Sequence, residues 1–164
     1  ANGAGGPQDL AEARRLLSLA AAQGHAEAQA SLGAMHANGQ GGPQDLAEAR
    51  RLFSLAAAQG NADAQCYLGG MHAIGEGGPQ DLAEARRLYS LAAAQGNATA
   101  QCCLGVMHAN GEGGPKDFAE TRRLYGFEQA FIDVHSEDDW RPPRDGKGNG
   151  KWKSKIKLAA LGLC

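Results

Sequence analysis

Aromatic residues make up only 5% of the 164 positions, and β-branched residues are scarce. A sheet built on alternating β-branched and aromatic side chains is therefore excluded as the main architecture. No apolar run approaches the ~18–20 residues that a membrane-spanning helix needs; the longest candidate is Leu158–Cys164. The four cysteines, Cys66, Cys102, Cys103 and Cys164, are too few and too poorly spaced for a disulfide framework or a zinc site. They read as small free thiols and leave the compartment undecided, cytoplasmic and secretory settings both remaining open. Also missing are a GxSxG nucleophile elbow, an HExxH helix, a GxxxxGK phosphate loop and a CxxC pair. With no nucleophile beside a base and no ligand cluster, the expectation is a protein that is not an enzyme and carries neither cofactor nor metal.

What the chain does contain is alanine and leucine, the bulk of a 43% hydrophobic fraction that suits closely packed helices. Its net charge of −2 is uneven: residues 141–164 set seven Lys/Arg against Asp145, leaving an acidic body and a basic tail. Above all, it repeats itself. GGPQDLAEARRL begins at Gly5, Gly41 and Gly77 and returns as GGPKDFAETRRL at Gly113, a spacing of 36 residues that marks a solenoid. The opening ANGAGG matches the register of HANGQGG, so the chain is expected to begin part-way through a unit.

Each unit predicts two helices. In DLAEARRLxSLAAAQG, Asp9, Asp45 or Asp81 caps, with Glu12, Glu48 or Glu84 three residues on for a capping box. Gly24, Gly60 or Gly96 ends the helix in a left-handed conformation. Leu10, Ala13, Leu17 and Ala20 share one face, while Arg14, Arg15 and Gln23 fall largely off it. A second helix opens at His25, Asn61 or Asn97 and closes at Gly39, Gly75 or Gly111, so near that the two must be antiparallel neighbours. Gly33, Gly69 and Gly105 stand inside it at ~1 kcal/mol each relative to alanine. Their recurrence predicts a close approach by a neighbouring helix.

ADAQCYLGGMHAIGEGGPQDLAEARRLYSLAAAQGN, Ala62 to Asn97, resembles the Sel-one-like repeat family, related to tetratricopeptide repeats: LGxMY, GxG, D, an EA pair, an aromatic, then AAxxGN. The likeness covers roughly residues 1–125. His36, His72 and His108 stand where that pattern usually has Tyr, and Gly replaces a common Val before Pro. The resemblance implies an all-α, right-handed α/α solenoid of about seven antiparallel helices. The LG helix would line a concave groove and the EARR helix back it. After an orphan backing helix, the pairs would cover 25–59, 61–95 and 97–133. It also implies a protein–protein interaction scaffold or adaptor, in quality control, signalling or assembly.

Residues 5–40 and 41–76 differ at eight of 36 positions: 17, 25, 27, 30, 31, 34, 38 and 40, each with its partner one repeat on. Five of these follow i, i+3, i+4, i+7, i+11 spacing and form a stripe on the LG helix. If that helix lines a groove as the resemblance implies, the candidate partner contacts are Glu27, Ala30, Ala34 and Asn38; Asp63, Cys66, Gly70 and Ile74; Thr99, Cys102, Val106 and Asn110. Such a groove is mildly acidic at one rim and apolar toward Ile74 and Val106, suited to a protein or peptide partner. The competing reading is that solvent tolerates change along this stripe; against it, Arg14, Arg15 and Gln23 and their copies do not vary.

The histidine ladder His36, His72 and His108 cannot share one ion, because its members are a repeat apart, and it reads as structural. Asn97–Ala98–Thr99 is a glycosylation sequon whose Asn is better explained as a cap. From Gly126 the repeat breaks down, and Phe127, Phe131 and Ile132 are expected to cap a solenoid ending near residue 133. Residues 134–164 are expected to be a disordered tail, in which Glu137, Asp138 and Asp139 read as a solvated acidic loop. With Trp140 and Trp152, the basic stretch offers a rival function, association with nucleic acid or an anionic membrane. Folding back onto the acidic body is another possible use of that charge.

Overall fold

The computed structural model describes residues 7–125. They form seven α-helices: α1 (Pro7–Ala22), α2 (Ala26–Asn38), α3 (Leu46–Ala58), α4 (Ala62–Ile74), α5 (Leu82–Ala94), α6 (Ala98–Asn110) and α7 (Phe118–Tyr125). No strand occurs among the described residues, and helices pack chiefly on their neighbours in sequence, as in a one-dimensional stack. Pairing is most extensive for α2 with α3 and for α4 with α5, the phase expected of an orphan backing helix followed by complete pairs. No described helix is long and apolar enough to cross a membrane. The expected cap (Phe127, Phe131, Ile132), the acidic triplet, Trp140, Trp152, Cys164 and the 134–164 tail lie outside the described residues.

Local chemistry accounts for most of the boundaries. Asp45, Asp81 and Asp117 accept from the backbone N–H of Glu48, Glu84 and Glu120 at 2.9–3.0 Å. Asn61 and Asn97 do the same for Ala64 and Ala100, whereas His25 at the equivalent place makes no side-chain cap. The reciprocal half of the capping box does not form. Asp45 N–H and Asp81 N–H donate instead to the carbonyls of His36 and His72 at 2.9 Å, while Glu48 and Glu84 turn to Arg51 and Arg87. α1 also departs from expectation: it begins at Pro7, which fits a first helical position because it lacks an N–H there, and Asp9 lies inside the first turn.

The internal glycines mark where helices touch. A Cβ on Gly33 or Gly69 would stand 3.1 Å from the ring of Phe53 or Tyr89, so the aromatic of the backing helix lies flat against the bare backbone of its partner. Gly105 is buried likewise, and its carbonyl accepts from Thr121 Oγ1 at 3.4 Å. A second close approach explains the GG pair. Gly41 and Gly77 take φ of 68° and 66°, and a Cβ there would strike the carbonyl of Leu10 or Leu46.

Around these contacts the core repeats. Ala49, Leu52, Phe53 and Ala56 of α3 are buried at i, i+3, i+4, i+7, and Ala85, Leu88, Tyr89 and Ala92 of α5 copy them. Leu52 and Leu88 belong to this set although they were not part of the face read from the sequence. Each is buried where its own pair meets the preceding helix: Leu52 clusters with Ala28 and Leu32 of α2 and Ala21 of α1, and Leu88 with Ala64 and Leu68 of α4 and Ala49 and Ala56 of α3. The equivalent Leu16 on α1 is 52% exposed where Leu52 and Leu88 are 2% exposed. Buried Gln29 and Gln65 are satisfied by donating to the carbonyls of Ala21 and Ala57 and accepting from Gln59 and Gln95. Cys66, Cys102 and Cys103 are not joined in disulfides, and burial pushes Cys66 up to about 12.

Tyr89 differs from Phe53 by one oxygen, which is buried without a nitrogen or oxygen partner beside the thiols of Cys66 and Cys103. Tyr89→Phe is therefore expected to leave stability unchanged or raise it by about 1 kcal/mol in urea denaturation. A clear loss would show the hydroxyl to be usefully bonded. Gly69→Val, which drives a branched side chain into the Tyr89 ring, is expected to cost roughly 1–3 kcal/mol by the same measurement. An unchanged urea midpoint would mean that α4 and α5 do not meet there.

Candidate functional site

The stripe at which the copies differ runs along α2, α4 and α6, and stacking divides it. Glu27, Asn38 and Asp63 are exposed. Ala30, Ala34, Ile74, Thr99, Cys102, Val106 and Asn110 are half-buried, while Cys66 and Gly70 are buried. Ala30 and Ala34 lean on the cluster formed by α3 and α4, and Cys66 belongs to the cluster that includes α5 and α6. Part of the stripe is thus a seam between units, and the rest faces outward. Tyr67, at the fifth variable position, is 43% exposed and stacks on Phe53 with centroids 5.2 Å apart and an interplanar angle of 17°.

Charge is segregated. α2, α4 and α6 carry no Lys or Arg, and their carboxylates are Glu27 and Asp63. The arginines of α1, α3 and α5 are all committed. Arg15, Arg51 and Arg87 pair with Glu12, Glu48 and Glu84 at 2.6–2.7 Å on exposed surface, holding those carboxyls below their ordinary range.

Arg14, Arg50 and Arg86 do something the sequence reading did not anticipate. Each crosses to the next unit, where Nη2 lies 2.7–2.8 Å from Nδ1 of His36, His72 or His108. The same guanidinium donates to carbonyls of the following turn: Gln40 and Pro43, Glu76 and Pro79, Glu112 and Pro115. Gly42, Gly78 and Gly114 leave room for it, since a Cβ at any of them would collide with Nη1. Burial first, and the arginine second, hold all three histidines below their ordinary value. The available signal was an arginine followed 22 residues later by a histidine in three successive copies.

These bonds change how the invariant positions are understood. Arg14 clamps, Arg15 pairs, and the copies of Gln23 reach Gln29 and Gln65, so their constancy has a local structural cause. It no longer sets off the stripe as specially variable. The sequon asparagine is occupied too: Asn97 Oδ1 caps α6, and Nδ2 donates to Asp63 at 2.9 Å.

Away from the stripe, a half-open hollow of about 410 Å³ lies between α1 and α3, lined by Ser18, Gln29, Leu32, His36, Glu48 and Leu55 among others. Its polar groups are already engaged. Ser18 donates to the Arg14 carbonyl, His36 is held by Arg14, and Glu48 by Arg51. No nucleophile and base face one another there. No group of three or more His, Cys, Asp or Glu among the described residues could hold a metal ion.

Comparison with known proteins agrees with this architecture. Among solved structures, the chain is similar to a Sel1 repeat protein from Oxalobacter formigenes, with a TM-score of 0.65 and 25% identity, over 81% of this chain and 51% of that one. It is also similar to a protective antigen of uropathogenic Escherichia coli strains displaying an SLR fold, with a TM-score of 0.69 and 29% identity, over 94% and 32%. It therefore spans about half of the length of the first neighbour and about a third of the second. No curated protein matches it. The Sel1 repeat model matches residues 1–25, 26–61, 62–97 and 98–126, the last three in phase with the helix pairs. Proteins of this kind generally serve as non-catalytic scaffolds that bind other proteins. By four consecutive matches covering most of its length, the chain belongs to the Sel1 repeat family.

Proposed function

We propose that the chain is a scaffold without turnover of its own, holding a protein or peptide partner on a concave face made by α2, α4 and α6. The observation that carries this is the outward part of the stripe. Tyr67 is exposed on α4, Ile74 lies two turns along the same face, and Val106 is half-buried on α6. Large side chains held on a rigid stack make good anchors, because little freedom is lost when a partner covers them. Glu27 and Asp63, with no cation on these helices, favour a partner that brings basic residues to the rim. Thr99, Cys102, Asn110, Asn38, Ala30 and Ala34 complete the surface. Cys66 and Gly70 act behind it by shaping the seam.

The rival function places binding in the basic residues 141–164, as a contact with nucleic acid or an anionic membrane. Partner capture should be compared among the full chain, residues 1–133, and a full-length variant carrying Tyr67→Ala, Ile74→Glu and Val106→Glu, each checked for helix by circular dichroism. The groove reading expects residues 1–133 to retain capture and the folded triple variant to bind at least ~10-fold more weakly. Loss on truncation together with steep weakening by salt would transfer the activity to the tail.

A further inference from the structure

We propose that the three arginine–histidine clamps make the junctions between repeats acid-labile, so that mild acid loosens the stack while single helix pairs stay intact. The geometry dictates the protonation state. A guanidinium has only donors, so the ring nitrogen that meets it must accept and the ring must be neutral; Nη2 stands 2.7–2.8 Å from Nδ1 of His36, His72 and His108, nearer than the 3.2 and 3.4 Å to Nε2 of His36 and His72, which favours Nδ1 as the acceptor and the ring proton on Nε2. A second proton would turn Nδ1 into a donor aimed at a cation. One bond would be lost and replaced by repulsion between two positive groups.

The surroundings do not absorb that charge. His36 faces Arg14 from α1, Asp45 from the preceding turn, and Glu48 and Arg51 from α3. His72 faces Arg50, Asp81, Glu84 and Arg87, and His108 faces Arg86, Asp117, Glu120 and Arg123. In each set the two carboxylates are in use, the aspartate as a helix cap and the glutamate in an ion pair. Two cations thus stand against two committed anions, and burial opposes the charged ring further.

The release would act between units, because each arginine sits on one backing helix and each histidine on the helix pair that follows. The same guanidinium holds the turn leading into the next backing helix. Losing it frees the junction at three places in register, changing pitch and curvature rather than helix content.

The sign follows from linkage. Histidines held below their ordinary value in the folded chain bind fewer protons there than when unfolded. Their contribution is complete above the ordinary value of about 6.5 and is lost as pH falls through and below it. The paired carboxylates titrate lower still and do not mask this window.

Urea denaturation of the full chain at pH 7.5 and 5.5 should be compared with the His36→Asn, His72→Asn, His108→Asn variant, whose amide oxygen accepts in place of Nδ1 and does not titrate. The wild-type midpoint is expected to fall on acidification, with an unfolding constant rising at most ~10-fold per pH unit per histidine. The variant should fall by less than half as much. Nitrogen NMR of the unmodified chain supplies an independent reading: all three rings should show Nδ1 bare, Nε2 protonated and titration below the ordinary value. Equal acid sensitivity in both chains would overturn the proposal, and so would protons on Nδ1 or titration at or above the ordinary value.

Discussion

How near one helix can come to the next decides the rest of this structure. Gly33 and Gly69 remove the side chain where the rings of Phe53 and Tyr89 lie, so helix pairs close to ring-on-backbone contact. That spacing brings Leu52 and Leu88 against the preceding pair and places the guanidinium of Arg14 or Arg50 over the glycine pair of the following turn. It also lets Gln29 and Gln65 be satisfied by Gln59 and Gln95. A wider crossing would leave the leucines wet, the glutamines unpaired and the arginines short of their carbonyls. One absent atom per unit therefore organises apolar and polar contacts together.

Much of this was legible because its causes are local. A cap, a left-handed glycine and helical spacing each operate within a few residues, and so Asp45, Gly60, Asn61 and Gly75 stand where their chemistry placed them. What stayed hidden depends on neighbours far along the chain. Arg14 and Arg50 look like solvated charges beside an apolar face until the next unit brings a histidine and two carbonyls to them. The capping box fails to a competition nearer at hand, since Asp45 N–H is drawn to the carbonyl of His36 and Glu48 to Arg51 one turn on. Spacing grouped the stripe correctly on one set of helices, but which members stay open depends on the stacking pitch. Cys66 and Gly70 are covered while Tyr67 beside them is not.

The distribution of charge is a further product of stacking. Cations sit on α1, α3 and α5 and are consumed in clamps and pairs, whereas α2, α4 and α6 carry no Lys or Arg and have Glu27 and Asp63 as their carboxylates. A face without positive groups needs no internal neutralisation, and its negative charge comes from Glu27 on α2 and Asp63 on α4. Regular spacing of weak features can then favour an extended partner over a compact one, because several modest contacts are made in register.

Leu16, Leu52 and Leu88 are the same residue in three copies, yet the first is open and the other two are sealed. Burying such a side chain is worth roughly 1.5–3 kcal/mol, so a module's solidity is conferred largely by whatever abuts it. An architecture of this sort gains from tandem duplication: an extra unit inserted in phase brings its own half of two seams and requires no redesign elsewhere. Length becomes the freely adjustable variable of the molecule, while the burial of this leucine is what each added copy has to reproduce.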